Sequence, residues 1–166
     1  MFATEKSRWD NRNEYTPLHE AASIGNFDIC KFIIDQVDDK NPANEKGHTP
    51  FHTAANYRPK ESRYVWTMDH PVWTGLYFDN HPDNEIEGHF EICQLIFEAT
   101  GFQNPSNEYG ETPLLSAASN GNLKICEMII EKVDHKNPAS WWDENDTPLH
   151  RAAKEGHFEI CKLIIE

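Results

Sequence analysis

Thr16-Pro17-Leu18-His19-Glu20-Ala21-Ala22 is written into this chain once and then rewritten three times: as Thr49-Pro50-Phe51-His52-Thr53-Ala54-Ala55, as Thr112-Pro113-Leu114-Leu115-Ser116-Ala117-Ala118 and as Thr147-Pro148-Leu149-His150-Arg151-Ala152-Ala153. A second phrase follows each copy: Gly25-Asn26-Phe27-Asp28-Ile29-Cys30, Gly88-His89-Phe90-Glu91-Ile92-Cys93, Gly121-Asn122-Leu123-Lys124-Ile125-Cys126 and Gly156-His157-Phe158-Glu159-Ile160-Cys161. Self-similarity at a fixed period is the mark of stacked repeats, in which each unit buries its apolar face only against its neighbours.

The wording of one unit has a physical grammar. Thr16 suits the N-cap of a helix, and Pro17 suits its first position, where the missing N–H would be unpaired anyway. The small face of Ala21 and Ala22 allows another helix to approach closely. Gly25 breaks the first helix and Asn26 caps a second, with Asp28 well placed in its first turn. Phe27, Cys30, Ile33 and Ile34 then form an apolar stripe of helical period. The polar stretch from Asp39 to Gly47 is rich in turn formers and leads into the next Thr-Pro. Each unit therefore reads as helix, tight turn, antiparallel helix and extended turn.

Thr16 to Thr49 spans 33 residues, and so does Gly88 to Gly121. With the TPLH and G-x-F-x-I-C phrases, this period resembles the ankyrin repeat from about Asn13 to the end of the chain, apart from one insertion. The resemblance implies an all-α repeat protein, an ankyrin solenoid of antiparallel helix pairs with β-hairpin or turn fingers. It also implies a non-catalytic module that binds a protein partner. The expected divisions are a lead-in at 1–12, repeat one at 13–45, repeat two at 46–108 with an insertion at about 57–86, repeat three at 109–143 and an incomplete repeat four at 144–166. Departures from the pattern stand out: Glu14 and Asn145 occupy the place of Gly47 and Gly110, and Leu115 replaces the histidine. The last finger, through Ser140-Trp141-Trp142, is two residues longer than its counterparts. Repeat four stops inside its second helix without a polar cap, which suggests a trimmed chain or a short natural one.

Between the helices of repeat two lie 30 extra residues, six of them aromatic (Tyr57, Tyr64, Trp66, Trp73, Tyr77, Phe78). That is too aromatic for a disordered linker. Two β-prone runs around Met68-Asp69-His70-Pro71 suggest a small hairpin, and Asp79–Asn84 a loop returning to the second helix. The aromatics either pack over the flank of the stack or stay exposed as anchors of the kind that dominate interfaces. The insert sits at the end of the helices opposite the fingers, so it adds a separate surface.

Composition narrows the partner. The formal net charge is −13, from 28 acidic against 15 basic residues. Nucleic acids and anionic membranes attract clustered Lys and Arg, so neither is expected; the charge fits either the plain solubility of a long open surface or a basic protein partner. No apolar run approaches the roughly 18 residues of a membrane span, and Met1–Asp10 lacks the apolar stretch of a secretory signal. A cytoplasmic monomer is the expectation. Cys30, Cys93, Cys126 and Cys161 occupy one repeated position a whole repeat apart, too far for bridges, and read as core residues.

Of the nine histidines, His19, His52 and His150 belong to the TPLH phrase, and His89 and His157 start second helices. Asp69, His70, Asp79, His81, Asp83 and Glu85 offer a cation site in the insert as an alternative function, although the segment matches neither the EF-hand pattern nor HExxH. No phosphate loop or nucleophile elbow is present, and no cofactor is expected. Asn41 and Asn104 occupy finger positions that the family can hydroxylate, but each precedes proline, unlike the usual pattern. By the resemblance, contacts fall on finger tips and the open side of first helices. These are Asn13, Tyr15 and Glu20 in repeat one; Glu45, Lys46, His48 and Thr53 in repeat two; Glu108, Tyr109, Glu111 and Ser116 in repeat three; and Asp143, Glu144, Asp146 and Arg151 in repeat four. Trp66, Trp73 and Tyr77 of the insert and Trp141 and Trp142 beside the last finger are further candidates; the two finger tryptophans equally suit packing beneath it. A spacer segment of a longer array is the other alternative.

Overall fold

The computed structural model describes residues 15–58, 84–101, 103–140 and 146–166, with the side chains of 84–87 left aside. Eight helices follow one another among the described residues: α1 (Pro17–Ser23), α2 (Phe27–Gln36), α3 (Pro50–Ala55), α4 (Asn84–Ala99), α5 (Pro113–Asn120), α6 (Leu123–Ile130), α7 (Pro148–Glu155) and α8 (Phe158–Ile165). They form four helix pairs. The first helices α1, α3, α5 and α7 pack in one row and the second helices α2, α4, α6 and α8 in another.

Each first helix starts as its residues dictate. Thr49, Thr112 and Thr147 adopt extended backbone, and their side chains accept from the N–H groups of His52, Leu115 and His150. Proline follows at the first helical position of every first helix. Ala22, Ala55 and Ala118 have no exposed surface, which is what lets neighbouring first helices approach. The turn to the second helix runs through Gly25 and Gly121 at φ 71° and 79°. Side chains are excluded there for a second reason. A Cβ on Gly25 would lie 2.6 Å from the His89 ring, and one on Gly121 2.7 Å from the His157 ring. These imidazoles fill the space and bond across the junction, His89 Nε2 to the Ser23 carbonyl and His157 Nε2 to the Ser119 carbonyl, both at 3.2 Å.

The core lies between the two rows. Leu18, Phe51, Leu114, Ile92, Ile96, Phe97, Ile129 and Ile160 are its largest buried apolar side chains among the described residues, and the Phe51 and Phe97 rings sit 5.5 Å apart. Cys30, Cys93 and Cys126 are buried within it and Cys161 is half-buried; all four are free thiols. Burial pushes the Cys30 and Cys126 thiols up to about 12 and that of Cys93 higher still, so they stay protonated at neutral pH.

One expectation needs correction. The sequence places a loop over Asp79–Asn84, with the second helix of repeat two beginning near Gly88. Instead α4 begins at Asn84 and takes Gly88 into its interior. Of the two forms expected of the fingers, hairpin or turn, the described residues take the second, with no strand among them. They are turns closed by few bonds: Asn44 N–H to His48 O (2.9 Å), Asn107 N–H to Glu111 O (2.9 Å) and Ser140 N–H to Asp146 O (2.8 Å).

Candidate functional site

The finger side of the stack is held by a ladder of polar contacts that begins at the TPLH histidines. The Thr16 N–H donates to His19 Nδ1 at 3.1 Å, leaving Nε2 to carry the proton that it donates to the His48 carbonyl at 3.0 Å. One repeat on, the Thr49 N–H donates to His52 Nδ1 at 3.2 Å and His52 Nε2 to the Glu111 carbonyl at 3.1 Å. Each histidine thus ties its own helix start to the base of the next finger. Both rings are fully buried. Desolvation holds them neutral, lowering His19 and taking His52 down to about 4, against the opposing pull of those carbonyls. Leu115 stands in the third position, buried and unable to make the bond. There the Ser140 hydroxyl donates to the Tyr109 carbonyl at 2.7 Å and joins the third and fourth fingers instead.

The fingers are shaped by asparagines that the sequence reading passed over. Asn44 Oδ1 accepts from the Lys46 and His48 N–H groups, and Asn107 Oδ1 from those of Tyr109 and Glu111. Such bonds from an Asn side chain to its own downstream backbone preorganise a turn. Asn41, Asn104 and Asn137 do a parallel service, their side-chain carbonyls accepting from the N–H groups of Phe51, Leu114 and Leu149 near the starts of α3, α5 and α7. The signal was in the chain: an asparagine stands five residues before Thr49 and Thr112, and three Asn-Pro pairs precede the three later helix starts.

The candidate contact residues divide by environment. Glu20, Glu45, Lys46 and Glu108 are exposed. The Lys46 ammonium lies 6.0 Å from the Tyr109 ring centre, and the Lys46 carbonyl accepts from the Glu108 N–H at 2.9 Å, so the second and third finger tips are bonded directly. Tyr15, Tyr109, Glu111, Ser116, Asp146 and Arg151 are half-buried. Glu111 accepts from the Asn107 side-chain amide at 3.0 Å, and Asp146 pairs with Arg151 at 2.6 Å. Thr53 is half-buried and returns its hydroxyl to the Thr49 carbonyl at 3.2 Å, which makes it a helix residue before a contact residue. His48 is tucked into a row of rings, 4.9 Å from His52 and 6.3 Å from Tyr15, while Tyr15 meets His19 edge-on at 5.0 Å. Its Nδ1 is buried with no hydrogen-bond partner among the described residues, and burial lowers its pKa against the pull of the Glu111 carboxylate. Asn13, Trp66, Trp73, Tyr77, Trp141, Trp142, Asp143 and Glu144 lie outside the described residues.

Tyr57 is the one aromatic of the insert whose place is described. Its ring stacks on His89 at 4.0 Å and its carbonyl accepts from the Asn122 amide at 2.7 Å. Among the described residues no three His, Cys, Asp or Glu side chains gather as a metal site; the cation cluster read from the insert falls outside them or on the undescribed side chain of Glu85.

A stack of helix pairs joined by histidine-latched turns defines a class of repeat proteins. A family model for ankyrin repeats, three copies in length, matches residues 2–64 and 85–166, and the chain belongs to the ankyrin-repeat family. The chain is also 32% identical over 108 residues to a transient receptor potential cation channel subfamily A member 1 homolog of Caenorhabditis elegans. That match covers 65% of this chain and 8% of the relative. No helix among the described residues is long and apolar enough to cross a membrane.

Proposed function

We propose that the chain is a non-catalytic protein-binding module that holds its partner along the finger tips and the open side of the first helices. The observation that supports this best is the joined pair of tips: Glu45, Lys46 and Glu108 point outward from backbones already fixed by Asn44, Asn107 and the Lys46–Glu108 bond. A surface ordered before binding loses little entropy when a partner arrives. The net charge of −13 favours a basic segment and speeds its approach. A cytoplasmic setting suits four free thiols used as core residues. The cation channel in the relative's name belongs to that protein, of which the chain spans 8%.

Selection of a displayed random-peptide library against the purified chain tests the proposal. Enriched peptides should be basic, and their binding should weaken with salt. They should bind the Glu45→Lys/Glu108→Lys double variant at least tenfold more weakly, while its melting midpoint stays unchanged. Peptides without charge bias, or equal binding to the variant, would sink it.

A further inference from the structure

At the base of the second finger the His19, His48 and His52 imidazoles gather in one row with Tyr15. The His48 ring lies 4.9 Å from that of His52 in α3 and 6.3 Å from Tyr15, whose own ring meets His19 of α1 edge-on. A charge on His48 is felt by both other imidazoles. From the third finger Glu111, which holds in its repeat the position that His48 holds in the second, draws positive charge toward the His48 ring. Glu45 and Lys46 share the finger with His48 and are exposed, the Lys46 ammonium lying over the Tyr109 ring.

The three imidazoles are not equally ready for a second proton. His19 and His52 use both ring nitrogens, Nδ1 accepting from the Thr16 and Thr49 N–H groups and Nε2 donating to the His48 and Glu111 carbonyls. A proton on either Nδ1 would displace the threonine N–H. His48 Nδ1 has no hydrogen-bond partner among the described residues, so a proton arrives there without breaking a bond. Once charged, the ring is badly placed, because a buried cationic N–H without an acceptor is costly. Glu111 supplies the remedy. The Asn107 amide holds its Oε2 at 3.0 Å, and Oε1 carries no hydrogen bond among the described residues. The His48 ring can turn while its finger stays in place. Its N–H donates to Asn44 Oδ1 at 2.9 Å, and its carbonyl accepts from the Asn44 N–H at 2.9 Å and His19 Nε2 at 3.0 Å.

We propose that His48 makes the finger surface acid-sensitive: a proton on Nδ1 turns the ring out of the Tyr15–His52 row and onto Glu111 Oε1, and the carboxylate so neutralised is lost to a basic partner. This regulation rests on the reading of the fingers as the surface for such a partner. Burial favours the neutral ring, so the surface is available at neutral pH and is shut off as pH falls below the ordinary histidine value of 6.5. Tyr15, Glu111 and Asp146 hold the same position in the other repeats. Of these four residues His48 is the one whose ordinary titration lies near neutrality, which confines the response to the second finger and its neighbour.

Two readouts on the full chain test this, from neutral pH down to about pH 5, above the ordinary carboxylate range. Without any peptide, NMR should show the His48 imidazole titrating first of the three. Its ring contacts with Tyr15 and His52 should fade with that titration, while the His48 backbone amide keeps its protection from exchange. With basic peptides selected at neutral pH, affinity should fall about fivefold or more over the same range. His48→Phe keeps a ring in the row and takes no proton, so it should hold whatever affinity it has at neutral pH to within about twofold. Glu111→Gln should lose most of the acid response and serves if the first variant fails to fold. A charged His48 ring that stays in the row overturns the proposal, as do acid-independent binding by the unaltered chain and unfolding of the helices before His48 titrates. If no basic peptide binds at neutral pH, the finger surface itself is misassigned and its regulation falls with it. Peptides that bind, yet lose equal affinity to acid on the unaltered chain and on both variants, leave the finger surface standing and overturn only the role of His48.

Discussion

The junction between repeats two and three and the junction between repeats three and four share one apolar surface and differ in their polar latch. Both pack alanine-faced first helices side by side, with Ala55 and Ala118 buried in one and Ala118 and Ala152 in the other. The first adds the His52 bond to the Glu111 carbonyl and the Lys46–Glu108 backbone bond. The second has Leu115 in place of the histidine and relies on the Ser140 hydroxyl. Apolar contact is thus the common requirement of the stack, while the finger can be tied down in more than one way. The latch decides something else, namely how the junction responds to acid.

The comparison is broken most severely through what the junctions share. Phe97→Ala removes a buried ring at the repeat two–three junction and should cost about 3–5 kcal/mol, lowering the midpoint of a thermal melt by roughly 6–20 °C. A smaller loss would show that the stack repacks around the void. Acid separates the two junctions next. Neutral His52 is favoured by folding, with a pKa of about 4 against an ordinary value of 6.5. Its contribution is therefore whole above the ordinary value and is lost as pH falls through the folded one. That loss is on the order of 3 kcal/mol. His52→Leu copies the third repeat and should flatten the melting midpoint between neutral pH and pH 4 relative to the unaltered chain; an unchanged acid slope would assign it to other groups.

Asn107→Ala strips the third finger of its internal template and leaves two backbone N–H groups without their acceptor. About 1–3 kcal/mol should be lost, and amide exchange at Tyr109 and Glu111 should rise while that of the α5 core does not. Exchange rising uniformly would mean that the finger and the helices open together. The smallest effect belongs to the substitute latch. Ser140→Ala should cost about 1 kcal/mol, and Leu115→His in the same background should recover part of it if the imidazole reaches the fourth finger, a difference that urea denaturation at neutral pH can resolve.

Most of the fold was legible because the decisive groups are local. Thr-Pro sets a helix start, Gly25 a turn and the alanine pair a close approach, and each lies within a few residues of what it controls. The end of the insertion was not legible. Asn84–Glu87 carry no start signal as plain as Thr-Pro, and the extra turn of α4 extends a helix already nucleated by its packed portion. Within the candidate surface, Lys46 and Glu20 sit exposed as expected, since finger tips and open helix faces follow directly from the period. The sequestered His48 was not foreseen, because its burial depends on Tyr15 and His52 arriving from two different repeats. The roles of Asn44 and Asn107 were written in their spacing and overlooked, for they act on the backbone rather than on a partner.

Tyr57 closes one side of the insertion by stacking on His89 and holding Asn122, while α4 receives the chain again at Asn84. The consequence belongs to polymer physics. With both ends anchored by the stack itself, closing a flexible chain between them carries a cost that grows only as the logarithm of its length. Doubling the length of such a chain would cost about 0.6 kcal/mol. Flexible grafts of quite different size could therefore bridge Arg58 and Asn84 at nearly the same closure cost, which makes this edge a place to attach foreign sequence.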